Sequence, residues 1–152
     1  MINSRNLQDL DPEAREICEA QLAECHVNGI ELIVTSTWRD MEAQTALYAI
    51  GRTIQLERRA VTNAKGGQSW HNYRAAWDVV PVVGGKPIWD ATDPLWKEVI
   101  RIGKAAGAEA GAEWKTFKDP PHFQIRPTLR DKPIDIAEAL NRWNEDGTIF
   151  AV

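Results

Sequence analysis

Apolar positions recur along the chain with two periods, and the switch between them predicts helices alternating with strands, without internal repeats or low-complexity tracts. Ala14, Ile17, Cys18, Leu22 and Cys25 fall on one face of a first helix. Asp11 can cap its free amides, Pro12 suits its first position, and Gly29 can end it in a left-handed conformation. Ile30 to Thr35 reads as a strand, β-branched and without a breaker. Asp40 starts a second helix that ends near Gly51. The polar stretch from Arg52 to Gly67 closes on Lys65-Gly66-Gly67 and reads as a loop with room for one short element. A strand follows from Ala76 to Val83 and stops at the Gly84-Gly85 turn. Asp93-Pro94 repeats the cap-plus-proline signal, and Leu95, Trp96, Val99, Ile100 and Gly103 form the next apolar face. His122 to Ile125 is a last strand, expected beside the Ala76 to Val83 strand. Ile136, Ala139, Leu140 and Trp143 make Ile134 to Trp143 an amphipathic helix. The pattern predicts an α+β fold, a small antiparallel sheet flanked by helices.

Composition narrows this picture. With 152 residues and 43% hydrophobic content, the chain holds one domain and one core, and a second domain of ordinary size has no room. The expected core runs from about residue 11 to 127. A helical tail, 128–152, is expected to pack on it. A net charge of -4, without a Lys/Arg run, gives no electrostatic case for nucleic acid. Met1 to Gln8 lacks the apolar stretch of a secretory signal, and no apolar run is long enough for a bilayer. Synthesis in the cytoplasm, no stable membrane insertion and a monomeric state are expected. Cys18 and Cys25, seven residues apart on one helix, would be separated by about 10 Å, too far for a disulfide, and read as free thiols in the core.

Two short segments carry the chemistry. Gln68 to Asp78 and Lys118 to Phe123 together supply two histidines and two carboxylates, the parts of a catalytic zinc site. Such a centre needs three imidazole or carboxylate ligands, an open fourth position and a nearby acid/base that is not a ligand. His71, Asp78 and His122 fit as ligands and Asp119 as the base. Ligands on neighbouring strands of the sheet would pre-form the site. Pro120 and Pro121 exclude a helix between Asp119 and His122, and an extended polyproline-like turn would bring those two residues to one side. His26 lacks such a context and reads as a polar residue near a helix C-terminus.

These segments resemble the D-alanyl-D-alanine carboxypeptidase and L-alanyl-D-glutamate endopeptidase family of peptidoglycan peptidases, especially single-domain phage endolysins. Ser69-x-His71 and Ala76-x-Asp78 match the first half of the family's site, and Trp114, Phe117, Asp119 and His122 match the second. Thr35 to Asp40 with Gln44 and Ala46-Leu47-Tyr48 is similar to the family's Ser-x-x-Arg segment and following helix, and Val61 to Gly67 is similar to the endopeptidase branch. The resemblance spans roughly Ile30 to Ile125. It implies that Asp119 takes a proton from water and passes it to the leaving amine, and that Arg39 binds substrate or stabilises an oxyanion. It also implies that Ser69 orients the ligands, with Trp114, Gln44 and Arg74 as further residues near ligands or substrate. Where related endopeptidases usually have Gly, this chain has Arg74, at a position that often needs positive φ. Arg74 either disturbs the loop or adds a positive group for the carboxylates of a peptide stem. Ala110 stands where relatives often carry a Trp.

Plainer roles exist for the same residues. Asp119 can be a turn residue before the prolines, Arg39 half of a surface pair with Asp40 or Glu42, and Trp114 and Phe117 closers of the core. Trp70 and Trp77 flank ligands and are open to either role. The resulting expectation is a zinc-dependent endolysin that cleaves the L-alanyl-D-glutamate bond of the peptidoglycan stem and reaches the wall after a separate protein permeabilises the membrane. D-alanyl-D-alanine carboxypeptidase activity is the nearest alternative, and a non-catalytic zinc-containing wall-binding module is another. Asp119 argues against the module, because a structural zinc site needs no base.

Overall fold

The computed structural model describes residues 1–150, and its elements follow local signals in the chain. Asp11 caps α1 (Pro12–Val27) by accepting from the Glu13 amide, with Pro12 where its missing N–H costs nothing. Asp40 caps α2 (Met41–Ala49) through the Ala43 amide. At α3 (Leu95–Ala106), the Asp93 side chain accepts from the Leu95 amide at 2.9 Å. Strands β1 (Glu31–Ser36), β2 (Ala76–Val83), β3 (Lys86–Pro87), β4 (Glu109–Ala110) and β5 (His122–Gln124) form one antiparallel sheet. Its order is β1-β2-β5-β4, with β3 paired to the end of β2. A separate hairpin of β6 (Thr128–Leu129) and β7 (Lys132–Pro133) precedes α4 (Ile136–Arg142). The architecture is the α+β arrangement that the pattern predicts.

Alternation along β2 and β5 separates core from site. Trp77 lies opposite Phe123 and Asp78 opposite His122, so the apolar pair leaves the sheet on one face and the polar pair on the other. Trp77 and Phe123 are fully buried and stack with ring centres 6.4 Å apart. Gln21 of α1 accepts from the Trp77 indole N–H at 2.8 Å and donates to the Val99 carbonyl of α3 at 3.3 Å. This bridge gives partners to polar groups that burial would otherwise strand. Gly103 marks where α3 meets the ring: a Cβ there would lie 2.6 Å from Phe123 Cε1. Cys18 and Cys25 are free and buried, and burial pushes their thiols up to about 12 and about 11, which makes them inert core residues.

One loop follows expectation and one turn departs from it. No helix or strand forms between Arg52 and Gly67, where turns and an Ile50 to Ile54 bridge are the regular features. Arg52 shapes that stretch by donating to the carbonyls of Tyr48 and Thr62, both at 2.8 Å, and to Asn63 Oδ1 at 3.1 Å. Asp119 to His122 is not polyproline-like, because the Asp119 carbonyl accepts from the His122 N–H at 3.1 Å and closes a turn. Neither proline has an N–H to offer, so the first free amide, that of His122, closes it. In the tail, Ile134, Ala139 and Ile149 join the same hydrophobic cluster as Leu10 and Ala14. Trp143 meets the Tyr73 ring edge-on at 5.4 Å, while Leu140 on the predicted apolar face stays 47% exposed. Residues 151 and 152 of the predicted tail lie outside the described residues.

Candidate active site

Three segments meet on the polar face of the sheet. At the end of β1 the register with β2 slips, so that Val34 faces Val79 and Ser36 faces Asp78. This bulge turns the chain next to the site. Beyond it, the Thr37 carbonyl and the Arg39 guanidinium are both in place. Trp70 to Tyr73 forms a short 3₁₀ turn whose cap is reciprocal: Ser69 Oγ accepts from the His71 amide, and Asn72 Oδ1 accepts from the Ser69 amide. Asn72 is fully buried and also donates to the Arg39 carbonyl at 2.9 Å, which ties the His71 turn to the Arg39 segment. The third segment is the Asp119 turn. Gly111 is essential to it, since a Cβ there would lie 2.5 Å from the Asp119 carbonyl oxygen; the Asp119 amide donates to the Gly111 carbonyl at 3.0 Å.

His71, Asp78 and His122 each offer a donor atom, and these atoms lie within 4.8 Å of one another, a cluster able to hold a metal ion. Asp78 Oδ1 is 3.1 Å from His71 Nε2 and 3.4 Å from His122 Nδ1. The opposite ring nitrogens are engaged: His71 Nδ1 lies 2.7 Å from the Thr37 carbonyl, and His122 Nε2 lies 2.8 Å from Gln124 Oε1. Arg39 donates to Gln44 Oε1 at 3.0 Å and Ser36 Oγ at 3.2 Å, and its Nη2 is 3.5 Å from Asp78 Oδ2. A cleft of about 630 Å³ opens over the cluster. Arg39, Asp119, Trp114, Phe117 and the Val61 to Ala64 wall line it.

Burial and charge act in opposite senses on these groups. Burial lowers the pKa of His71 and outweighs the nearby Asp78 carboxylate. Burial also works against charge on His122, but the hydrogen bond and charge of Asp78, with Asp119 behind it, raise its pKa. Asp78 stays well below the usual carboxylate range, because the two imidazoles outweigh its burial. Asp119 is pushed up by burial, and Asp78 adds to the rise. Two carboxylates in one cleft therefore have separated affinities for a proton, the pattern of an acid/base beside a ligand.

Nearly every residue singled out in the sequence comes to the cleft or its supports. Gln44 is buried and holds Arg39 on one side and the Ala64 carbonyl on the other, at 2.8 Å. Trp114 stacks at a tilt on His122, 4.9 Å between centres. Arg39 makes no pair with Asp40 or Glu42; both acids lie against the N-terminal amine. Trp70 lines the cleft, whereas Trp77 belongs to the core. Arg74 is the exception. It has the left-handed φ of +62° that the usual glycine would suit, and its guanidinium stacks 3.8 Å from the Trp38 ring and donates to the Asp9 carbonyl. It is absent from the residues that line the cleft, and its guanidinium is taken up by Trp38 and Asp9. Sequence reasoning passed over Thr37, Asn72, Arg52 and Gln124. For Gln124 a signal existed, because it stands two residues from His122 on one strand and so shares its face.

Two family models, both described as D-alanyl-D-alanine carboxypeptidase, match residues 62–125 and 7–92. The chain is 36% identical over 127 residues to the peptidoglycan L-alanyl-D-glutamate endopeptidase CwlK of Bacillus subtilis (strain 168), covering 78% of this chain and 75% of that protein. Among solved structures it is similar to the L-Ala D-Glu endopeptidase ChiX of Serratia marcescens, with a TM-score of 0.61 and 26% identity over 86% of this chain and 91% of the other. The LD-carboxypeptidase LdcB shares the fold, with a TM-score of 0.61 and 21% identity over 76% of this chain and 58% of the other.

Proposed function

The chain belongs to the D-alanyl-D-alanine carboxypeptidase family of peptidoglycan peptidases, and on that premise we propose that it is a zinc-dependent endopeptidase cleaving the L-alanyl-D-glutamate bond of the peptide stem. The observation that carries this reading is the convergence of His71, Asp78 and His122 under an open cleft, with a desolvated Asp119 beside them. Two imidazole nitrogens and one carboxylate oxygen suit zinc, and the engaged far nitrogens hold both rings in orientation. What zinc supplies when bound is Lewis acidity, toward water and toward a carbonyl oxygen. Asp119, with its raised pKa, takes the proton from the attacking water and returns it to the leaving amine. Arg39 holds Asp78 and places positive charge along the cleft where an oxyanion develops. Trp114, Phe117 and the Val61 to Ala64 wall flank the stem.

The choice of bond is supported by the likeness to CwlK and ChiX, both named for it. Carboxypeptidase action on terminal D-alanine is the second reading, favoured by the description of both family models. A single peptidase domain spanning 1–152, a monomeric state, cytoplasmic synthesis and an endolysin's role in host lysis belong to the first reading. The endolysin role is supported by the resemblance to phage endolysins. No helix among the described residues is long and apolar enough to cross a membrane.

Mass spectrometry of purified peptidoglycan digested by the zinc-loaded protein tests the proposal. New N-terminal D-glutamate and free L-alanine carboxyl ends, absent after chelation, are expected. Loss of terminal D-alanine alone would move the assignment to the carboxypeptidase, and intact stems despite bound zinc would leave a wall-binding module.

A further inference from the structure

Resting on the reading of His122 as a metal ligand, we propose that Gln124 and Glu109 are positioning residues that set the tautomer of His122 and so aim its Nδ1 lone pair at the metal site. The sheet assembles the three side chains. His122 and Gln124 stand two apart on β5 and share a face, and Glu109 on β4 is the registered partner of Gln124. His122 Nε2 lies 2.8 Å from Gln124 Oε1, Gln124 Nε2 donates to Glu109 Oε2 at 3.0 Å, and Glu109 Oε1 accepts from Arg126 Nε at 2.8 Å. His122 and Gln124 are both buried.

The direction of this chain follows from what each group can do. A carboxylate only accepts, so the end of the Gln124 amide facing Glu109 is its NH₂ and the end facing His122 is its carbonyl. A carbonyl also only accepts, as does the Asp78 carboxylate 3.4 Å from Nδ1, so the two compete for the single proton of the neutral ring. Gln124 decides the contest by holding that proton on Nε2 and leaving Nδ1 for the metal. His71 reaches the same result with one partner, the Thr37 backbone carbonyl, which cannot reverse. A side-chain amide can rotate and exchange its two ends. Glu109 removes that freedom, and this is the task that distinguishes it from an ordinary surface acid paired with Arg126.

The test reads the ring as well as the metal. The chain has three histidines, so nitrogen-15 NMR of the metal-free protein, above the titration of the rings, resolves the tautomer of His122. Wild type is expected to show the Nε2–H form alone. Gln124→Leu, which leaves the Asp78 carboxylate as the acceptor at the ring, should shift His122 toward the Nδ1–H form and bind zinc 10- to 100-fold more weakly in competition with a chelator. The double variant Glu109→Gln with Gln124→Glu restores an acceptor opposite His122, with a donor behind it, and should regain both properties. Should Gln124→Leu fail to fold, Glu109→Ala on the edge strand supplies the same readout, with mixed tautomers expected. A pure Nε2–H ring and wild-type zinc affinity in these single variants would overturn the proposal. Failure of the wild type itself to bind zinc would instead overturn the metal reading.

Discussion

Asp78 and His122 are directly opposed across the β2 to β5 ladder, with Asp78 Oδ1 3.4 Å from His122 Nδ1. Residues 44 positions apart in the chain are thereby held at a spacing set by backbone hydrogen bonds. The same Asp78 oxygen is 3.1 Å from His71 Nε2, so one carboxylate joins the strand pair to the 3₁₀ turn.

Because the three donors act as a set, His122→Ala and Asp78→Asn should each abolish stoichiometric zinc in the purified protein. Elemental analysis after dialysis reads this directly. Normal zinc in either variant would remove that residue from the ligand set.

Asp119 is outside the set, and its replacement should separate binding from chemistry. Asp119→Ala is expected to keep zinc and to lose hydrolysis by about 10²- to 10⁴-fold. A variant that retains most of the cleavage rate would show that Asp119 is only a turn residue.

The raised pKa of Asp119 also predicts a stability effect. A carboxyl whose pKa is higher folded than unfolded favours the folded state when protonated, so its charged form costs stability above the ordinary value of 3.8. Metal-free Asp119→Asn should therefore be more stable than metal-free wild type at neutral pH. The difference should grow as pH rises through the raised value and vanish below 3.8, as read by urea unfolding at a series of pH values.

Gly111→Ala would place a methyl group 2.5 Å from the Asp119 carbonyl oxygen. Relief requires the Asp119 turn to move. A loss of about 1–3 kcal/mol is expected, with a fall in cleavage rate at temperatures where the variant remains folded. Circular dichroism melting with parallel rate measurements distinguishes displacement of Asp119 from simple unfolding.

Arg74→Ala removes the stack on Trp38 and leaves the cleft untouched. Cleavage should stay within about twofold of wild type, while stability falls by about 1 kcal/mol. Strong loss of activity in a folded variant would contradict the placement of Arg74 away from the substrate.

Much of the fold was legible because its signals are local. Caps at Asp11 and Asp40, the apolar face of α1 and the β-branched run of β2 act over a few residues, and each element formed where those signals lie. The candidate site was legible for a different reason: metal binding restricts donors to few residue types, and the resemblance pointed to His71, Asp78 and His122, which the fold brings within 4.8 Å of one another. Polyproline geometry between Asp119 and His122 was the wrong reading, because a turn depends on which amide finds a carbonyl and not on φ alone.

The sequence by itself determined the helices α1 to α4, the strands β1, β2 and β5, and the candidate donors His71, Asp78 and His122, since propensity, capping and ligand chemistry belong to residues and their near neighbours; the two-residue strands β3, β4, β6 and β7 carry no such local signal. Only the tertiary structure decided that Arg74 stacks on Trp38 outside the cleft lining, and that Asn72 and Arg52 hold segments beside the cleft. It also decided that Glu109 and Gln124 stand in line with His122. Those outcomes depend on strand register and packing across tens of residues, where the partner of a polar group is chosen by what the fold brings within about 3 Å.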